Sequence, residues 1–240
     1  MTLLLHRGAQ DVEFEQLKEI PIPKETSSYK PVAHQDLAEK LKSMTLDLMP
    51  EYSHSHSEYG VTREGQKLFG VHTFKNGDSH LGFSVGFRNS YDRTLSIAVA
   101  LGARVFVCDN LMLTGDLSVM RKHTTNVMED LETLILSALY RSKTTYRQIG
   151  EDAEIMKGNS LKDDDAFKMI GLAYGRGIIS PRQIPVAKDE WIKPSHSDFE
   201  PRTQWSLYNA FTESLKSSPP GSVMERYLDL HQLFQEINHA

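Results

Sequence analysis

The dipeptide Asn76-Gly77 constrains the fold of this 240-residue chain more than any other short feature. It separates two apolar runs, residues 68–74 and 81–87, and both have the β-branched and aromatic content of strands. Asn-Gly supplies the positive φ angles of the tight turn that joins two antiparallel strands. Further short apolar runs follow the second strand. The pattern therefore predicts an antiparallel sheet over roughly residues 67–115.

Helical periodicity lies on both sides of this sheet. Apolar residues recur at three- and four-residue steps after Pro31, which predicts a helix over 31–50. The same spacing recurs within residues 120–240. Residues 96–101 are apolar and are expected to form a short helix between strands. The predicted fold class is α+β, with an antiparallel sheet packed against helices and a helical C-terminal half.

The chain divides into an arm and one domain. Residues 1–30 are polar, and Pro21 and Pro23 disfavour a helix, so this segment is predicted to be an extended N-terminal arm. The remainder shows no linker, repeat or low-complexity tract. It is expected to form a single α+β domain over 31–240, with a helix at 31–50, the sheet within 52–115 and the helical part within 120–240.

Charge and composition limit the classes of protein to consider. The formal net charge is −5, whereas domains that bind polyanions are usually basic, although a local basic groove is compatible with an acidic total. The chain has one cysteine and so forms no internal disulfide, as expected of a protein in a reducing cytoplasm. No apolar run is long enough to span a membrane, and no common phosphate-binding glycine motif is present. We expect neither a cofactor nor membrane association.

A stretch rich in histidine and serine after the first helix is the candidate metal site. In a strand, His54 and His56 would face the same side, so both imidazoles could reach one ion, with Glu58 nearby. A third ligand would have to come from elsewhere, such as His72 or His80. Because the stretch is polar and rich in turn residues, a solvated loop or the start of an edge strand is the favoured interpretation.

Two further sets of residues have the types needed for nucleophilic catalysis. Ser90, Asp92 and His123 are the residue types of a hydrolytic triad, but no G-x-S-x-G turn surrounds the serine. Cys108 follows an apolar strand and is expected to be a buried, unreactive thiol. The sequence thus favours a binding protein over an enzyme.

Basic residues cluster in and beside the predicted sheet, and tyrosines are interleaved with them. Cations that neutralise phosphates and rings that stack on bases are what a single-stranded nucleic acid requires. Acidic neighbours dilute this charge, and basic residues are also common near helix C-termini. The basic residues are Arg88, Arg93, Arg104, Arg121, Lys122 and His123, then Arg141, Lys143 and Arg147 at the end of the next helix; the tyrosines are Tyr91, Tyr140 and Tyr146.

Polar residues stand at the ends of two predicted strands. Arg88, Asn89, Ser90 and Asp92 follow one strand, and Asn110 follows another. Such side chains can bond to their own turns, yet five of them are more than one turn requires. We expect them to meet at one end of the sheet and to bind a ligand there. Complete hydrogen bonding to buried backbone would instead indicate a structural role.

The same residues carry a resemblance to a known family. The segments Arg88-Asn89-Ser90-Tyr91-Asp92 and Val105-Phe106-Val107-Cys108-Asp109-Asn110 resemble the phage- and plasmid-like family called domain of unknown function 932. That family has no settled activity, so the resemblance implies an origin on a mobile element rather than a reaction. Its motif positions, which the resemblance marks as a shared site, fall on Asn89, Ser90, Asp92, Cys108 and Asn110.

Three functions are compatible with these features. The favoured one is nucleic-acid binding, in which the protein binds or anneals single-stranded DNA during recombination of a phage or plasmid. The first alternative is a protein-binding inhibitor or regulator of a host defence system, which the acidic balance and the predicted arm favour. The second is a metal-assisted hydrolase that uses His54 and His56. A homo-oligomer is expected in each case.

Overall fold

The computed structural model describes residues 9–77, 81–105, 110–124 and 126–238. Within these ranges, one antiparallel sheet has six strands in sequence order, so it is a meander. Gly77 has a φ of 58°, in agreement with the turn predicted between the third and fourth strands. The strands are β1 (Ala9–Asp11), β2 (Ser53–Thr62), β3 (Lys67–Lys75), β4 (Leu81–Ser90), β5 (Ile97–Val105) and β6 (Asn110–Arg121).

Helices cover both faces of this sheet. The α-helices in the described residues are α1 (Phe14–Glu19), α2 (His34–Leu48), α3 (Val127–Gly158), α4 (Asp163–Gly175), α5 (Gln183–Ile192), α6 (Gln204–Leu215) and α7 (Val223–Asn238). Short helical turns occur at Arg63–Gly65 and Ser197–Phe199. The predicted α+β class, with a helical C-terminal half, is confirmed.

Two hydrophobic cores lie on opposite faces of the sheet, because successive side chains of a strand alternate in direction. Ile97 and Val99 of β5 enter the core formed with α2 and the first half of α3. Ala98 and Ala100 enter the core formed with the second half of α3 and with α4 to α7. The central strands are therefore buried on both sides.

The helix predicted at 96–101 is wrong, since residues 97–101 belong to β5. The segment is apolar without alternation because both of its faces are buried. A short run of this kind does not distinguish a strand from a buried helix by periodicity alone. The sheet also extends beyond the predicted limit at residue 115, because β6 continues to Arg121.

The histidine-rich stretch forms strand β2 rather than a loop. β1 pairs with residues 60–62 of β2, so among the described residues no strand pairs with the outer side of residues 53–58, which lie at the edge of the sheet. Polar side chains are suited to such an edge, because they disfavour pairing with another chain. This position explains why a full strand has so polar a sequence.

Other element boundaries also differ from prediction. Residues 14–19 form α1 instead of extended chain, and this helix buries Leu17. The helix predicted from residue 31 begins at His34, and its final leucine, Leu48, is exposed. Pro185 lies in the first turn of α5, where its missing N–H removes no helical hydrogen bond.

Candidate functional site

Asn89, at the end of β4, is fully buried and fully bonded. Its Nδ2 donates to the Val32 carbonyl at 2.7 Å and lies 3.0 Å from Nδ1 of His34. Its Oδ1 accepts from the Ser90 backbone N–H at 2.9 Å. The side chain therefore joins β4 to the segment that enters α2, and its role is structural.

His34 also contributes to this connection between β4 and the segment that enters α2. Its Nε2 bonds to the Gly65 carbonyl at 2.8 Å, and because a carbonyl only accepts, Nδ1 is left to accept from Asn89. The His34 backbone N–H donates to the Tyr91 hydroxyl at 2.9 Å, and the two rings stack with centroids 3.9 Å apart. Burial lowers the pKa of His34 to about 4.

Ser90 and Asp92 shape the turn after β4. The Ser90 hydroxyl donates to the Leu95 carbonyl at 3.2 Å. The Asp92 carboxylate accepts from the backbone N–H and hydroxyl of Thr94 and lies 3.3 Å from the ammonium of Lys67. Partial burial raises the pKa of Asp92, but these bonds outweigh it and hold the pKa below its usual value. Neither residue bonds to His123, so the predicted triad is not formed.

Asn110 does not join this group. It pairs with Val105 at the end of the sheet where β4 begins, and Val105 pairs with Leu81. Leu81 and Asn89 are eight residues apart, or roughly 26 Å at the rise of a strand. Asn110 instead donates to Oδ1 of Asn209 in α6 at 2.9 Å. The expectation of one shared polar site is therefore wrong; Cys108 lies outside the described residues.

Two of the predicted groove cations are buried in ion pairs. Arg88 pairs with Glu225 of α7, and its side chain is only 7% exposed. Arg104 pairs with Glu58 across the sheet and also donates to the Thr73 hydroxyl at 3.3 Å. Both arginines are committed to the fold, so they are unavailable to a nucleic acid.

The remaining basic residues near the sheet do come together. The turn after β4 and the end of β6 enclose two adjoining depressions of about 300 Å³ and about 410 Å³, which share Ser96 and Lys122. We call them the basic cleft. Its lining includes Tyr29, Arg93, Ser96, Arg121, Lys122 and His123.

Tyr29 and Arg93 form one wall of the basic cleft. The Arg93 guanidinium lies 4.3 Å from the centre of the Tyr29 ring. Arg93 has a φ of 64°, a left-handed conformation that is unfavourable for a residue with a Cβ. The Tyr29 hydroxyl donates to the Tyr91 carbonyl at 3.4 Å. Sequence reasoning missed Tyr29 because it lies in the segment predicted to be an extended arm.

His123 adjoins Tyr29, with the two ring centroids 5.3 Å apart, and is the least satisfied polar side chain of the cleft. It is only 7% exposed, yet within the described part of the chain neither ring nitrogen has a hydrogen-bond partner of normal geometry. Burial lowers the pKa of His123, although the nearby Lys30 carbonyl opposes this effect. A buried donor or acceptor without a partner is costly, so such a group often marks a ligand position.

The cleft carries a net positive charge along its rim. Arg93, Arg121 and Lys122 are exposed, and the Lys30 backbone N–H donates to the His123 carbonyl, which places a fourth cation beside them. Asp130 lies 3.7 Å from Arg121 and offsets part of that charge. An anion with several acceptor oxygens suits this set of donors.

The predicted aromatic platform is absent from this cleft. Tyr91 is buried, and the Tyr29 face is covered by Arg93. Tyr140 is exposed but lies far along α3, which does not end near Arg147 as predicted and continues to Gly158.

The candidate metal ligands are separated by the sheet. A β-bulge between His54 and His56 pairs His54 with Phe74 and His56 with Thr73. Adjacent residues of β3 face opposite sides, so the two imidazoles do as well. His80 lies outside the described residues. Among those that are described, no group of three His, Cys, Asp or Glu side chains could hold a metal ion.

No helix in the described ranges is long and apolar enough to cross a membrane. No curated protein and no solved structure matches the chain. The model of the family described as domain of unknown function (DUF932) matches residues 24–220. Because this match covers most of the sequence, the chain belongs to the DUF932 family.

Proposed function

We propose that the basic cleft binds single-stranded DNA through its phosphodiester backbone, in the recombination of a mobile element. The observation that carries the proposal is His123, a buried imidazole that has no hydrogen-bond partner of normal geometry among the described residues and lines the cleft with Arg93 and Lys122. A phosphate there would accept an N–H from His123 and neutralise the flanking cations. It would also favour the protonated imidazole, so binding should strengthen as the pH falls toward 6.

The dimensions of the cleft favour a single strand over a duplex. The two adjoining depressions have volumes of only about 300 Å³ and about 410 Å³, and Met120, which is 47% exposed, supplies apolar surface beside Arg121. A flexible strand can place successive phosphates and a base along such a path, whereas a duplex presents its phosphates on a broad, rigid surface. The net charge of −5 further limits contact to a few phosphates.

The test is fluorescence anisotropy with a labelled oligothymidine. We expect binding at about 50 mM salt, and three to four neutralised phosphates imply that the logarithm of the affinity falls with a slope of about −2 to −3 against the logarithm of salt. The matched duplex should bind more weakly. Absence of binding to the single strand at that salt concentration would overturn the proposal.

A matched pair of charge-reversal variants separates the cleft from overall charge. The double variant Arg93→Glu and Lys122→Glu should weaken binding at least tenfold. The control, Lys168→Glu with Lys188→Glu, changes the net charge equally on α4 and α5, where both lysines are exposed. Equal loss in the two variants would mean that binding depends on total charge and not on the cleft.

A protein partner is the second candidate function, and exposed apolar side chains favour it. Phe167, Leu172 and Tyr174 of α4 and Val186 and Ile192 of α5 are each 38–47% exposed. Apolar groups concentrated on two successive helices are typical of surfaces that contact protein. Native mass measurement with and without the oligonucleotide would reveal a homo-oligomer, and recovery from host lysate after nuclease treatment would reveal a stoichiometric partner.

A further inference from the structure

A second cavity lies between α1, α2 and the edge strand β2, and none of its lining residues lines the basic cleft. Its volume is about 320 Å³. One wall is polar and contains His54 and Ser57, and the fully buried His72 lies behind Ser57. The lining includes Phe14, Glu39, Lys42, His54, Ser57 and Tyr59.

The direction of the hydrogen bond that the Ser57 hydroxyl donates follows from its neighbours. His72 Nε2 lies 2.9 Å from the Ala38 carbonyl, so Nε2 carries the proton and, in the neutral ring, Nδ1 carries a lone pair. Ser57 Oγ lies 2.7 Å from that Nδ1 and therefore donates to it. His54 Nε2, 2.7 Å from the same oxygen, then donates to Ser57.

His72 is held rigidly as the acceptor. It is fully buried, and its ring stacks on Phe87 with centroids 4.9 Å apart. Burial lowers the pKa of His72 to about 3, so the ring is neutral near pH 7 and Nδ1 stays available. A hydroxyl bonded to a neutral imidazole whose other nitrogen is fixed by an acceptor is the arrangement of a serine nucleophile and its base.

We infer that this cavity is an esterase-like site in which Ser57 is the nucleophile and His72 the general base. The Lys42 ammonium lines the same cavity and would face the negative charge that develops on the acyl oxygen, whereas His54 Nε2–H holds the Ser57 oxygen in position. The Ala38 carbonyl is a weaker orienting group than a carboxylate, and His72 is a weak base. The substrate class is therefore an activated ester, with a phenolate or thiolate leaving group.

The reaction balances without a cofactor. Ser57 Oγ bonds to the acyl carbon, and its proton passes to His72 Nδ1. The bond from the acyl carbon to the leaving oxygen or sulfur breaks, and that atom takes the proton from His72. Water then attacks the acyl-serine in the same way, releases the carboxylic acid and restores the Ser57 hydroxyl. Phe14 and Tyr59 offer apolar surface to the acyl or leaving group.

The first test is covalent labelling of the folded protein with an alkyl fluorophosphonate, which loses fluoride when a nucleophilic serine attacks phosphorus. Intact mass should increase by one adduct, and peptide mapping should place it on Ser57. Hydrolysis of para-nitrophenyl acetate should fall at least ~100-fold in Ser57→Ala and in His72→Gln. No adduct on the folded wild-type protein would overturn the inference, whatever the variants do.

Ser55 gives a matched control on the same strand. Its hydroxyl also contacts a histidine, at 3.1 Å from His56 Nδ1, but this pair is exposed and outside the cavity. Ser55→Ala should label and hydrolyse as wild type does. A label on Ser55, or on both serines equally, would show reaction with any surface serine and contradict the proposed site.

Discussion

Asn89 and His123 are buried polar side chains at the same end of the sheet, and their hydrogen bonding is opposite. Asn89 bonds to two main-chain groups and to His34. His123 has no hydrogen bond of normal geometry from either ring nitrogen within the described residues. Burial without partners costs free energy, so a side chain in that state persists more readily where a ligand can satisfy it.

The comparison distinguishes side chains that stabilise the fold from side chains that are available to a ligand, within one region of the molecule. The Asn89 group, consisting of Asn89, His34 and Tyr91, locks β4 to α2. The His123 group, consisting of His123, Arg93 and Lys122, faces an open cleft. Loss of the first should therefore cost stability, and loss of the second should cost binding. Four predictions test this division, in descending order of expected effect.

Acid should produce the largest effect on stability, because it protonates histidines that are buried, neutral and hydrogen-bonded in the folded protein. The folded pKa values of about 4 for His34 and about 3 for His72 lie below the ordinary value of 6.5, so the unfolded chain takes up these protons first. The stability is present above pH 6.5 and is lost as the pH falls toward those folded values. Each histidine contributes about 1.4 kcal/mol per pH unit in that window.

Urea unfolding between neutral pH and pH 4.5 measures this dependence. His34→Gln should make this dependence shallower, because it removes the contribution of His34. If the free energy of unfolding stayed constant over the window, the two imidazoles would not be buried in the neutral form as the structure shows.

Asn89→Ala should have the next largest effect. It leaves the Val32 carbonyl, the Ser90 N–H and His34 Nδ1 without their partner, at a cost of about 3 kcal/mol. The control is Asn126→Ala, because Asn126 precedes α3 without a side-chain capping bond. It should change the free energy of unfolding by less than about 0.5 kcal/mol. DNA affinity per folded molecule should be unchanged in both.

His123→Leu should give the reverse pattern. Because His123 gives up no well-formed hydrogen bond, the free energy of unfolding should change by less than about 1 kcal/mol. The affinity for oligothymidine should fall about tenfold, which corresponds to one charge-assisted hydrogen bond. A loss of stability as large as that of Asn89→Ala, with affinity intact, would assign His123 to the structural group.

The sequence predicted the types and order of the secondary-structure elements better than it predicted which side chains contact one another. The hairpin at Asn76-Gly77 was predictable because turn signals are local. β5 was not, because burial on both faces removes the alternation that identifies a strand. The bulge that separates His54 from His56 also leaves no clear signal in one sequence.

Only part of the site was predicted, because charge is visible in the sequence whereas contacts between distant segments are not. Arg93, Arg121, Lys122 and His123 were selected by charge and do converge. Charge alone did not distinguish the buried Arg88 from the exposed cations of the cleft, because its partner Glu225 lies in α7, far along the chain. Tyr29 and the bond between Ser57 and His72 likewise depend on contacts between distant segments.

The smallest expected effect concerns the strained wall of the cleft. Arg93 has a φ of 64°, which glycine adopts more easily by about 1 kcal/mol. Arg93→Gly and Arg93→Ala both lose the guanidinium contact with Tyr29, but only alanine keeps the strain. The two variants should therefore bind DNA equally weakly and differ by about 1 kcal/mol in the free energy of unfolding, with glycine the more stable. Equal stabilities would mean that the turn relaxes and that the left-handed conformation is not imposed by the fold. Affinity that differs between them would mean that the turn conformation, and not only the charge, positions the ligand.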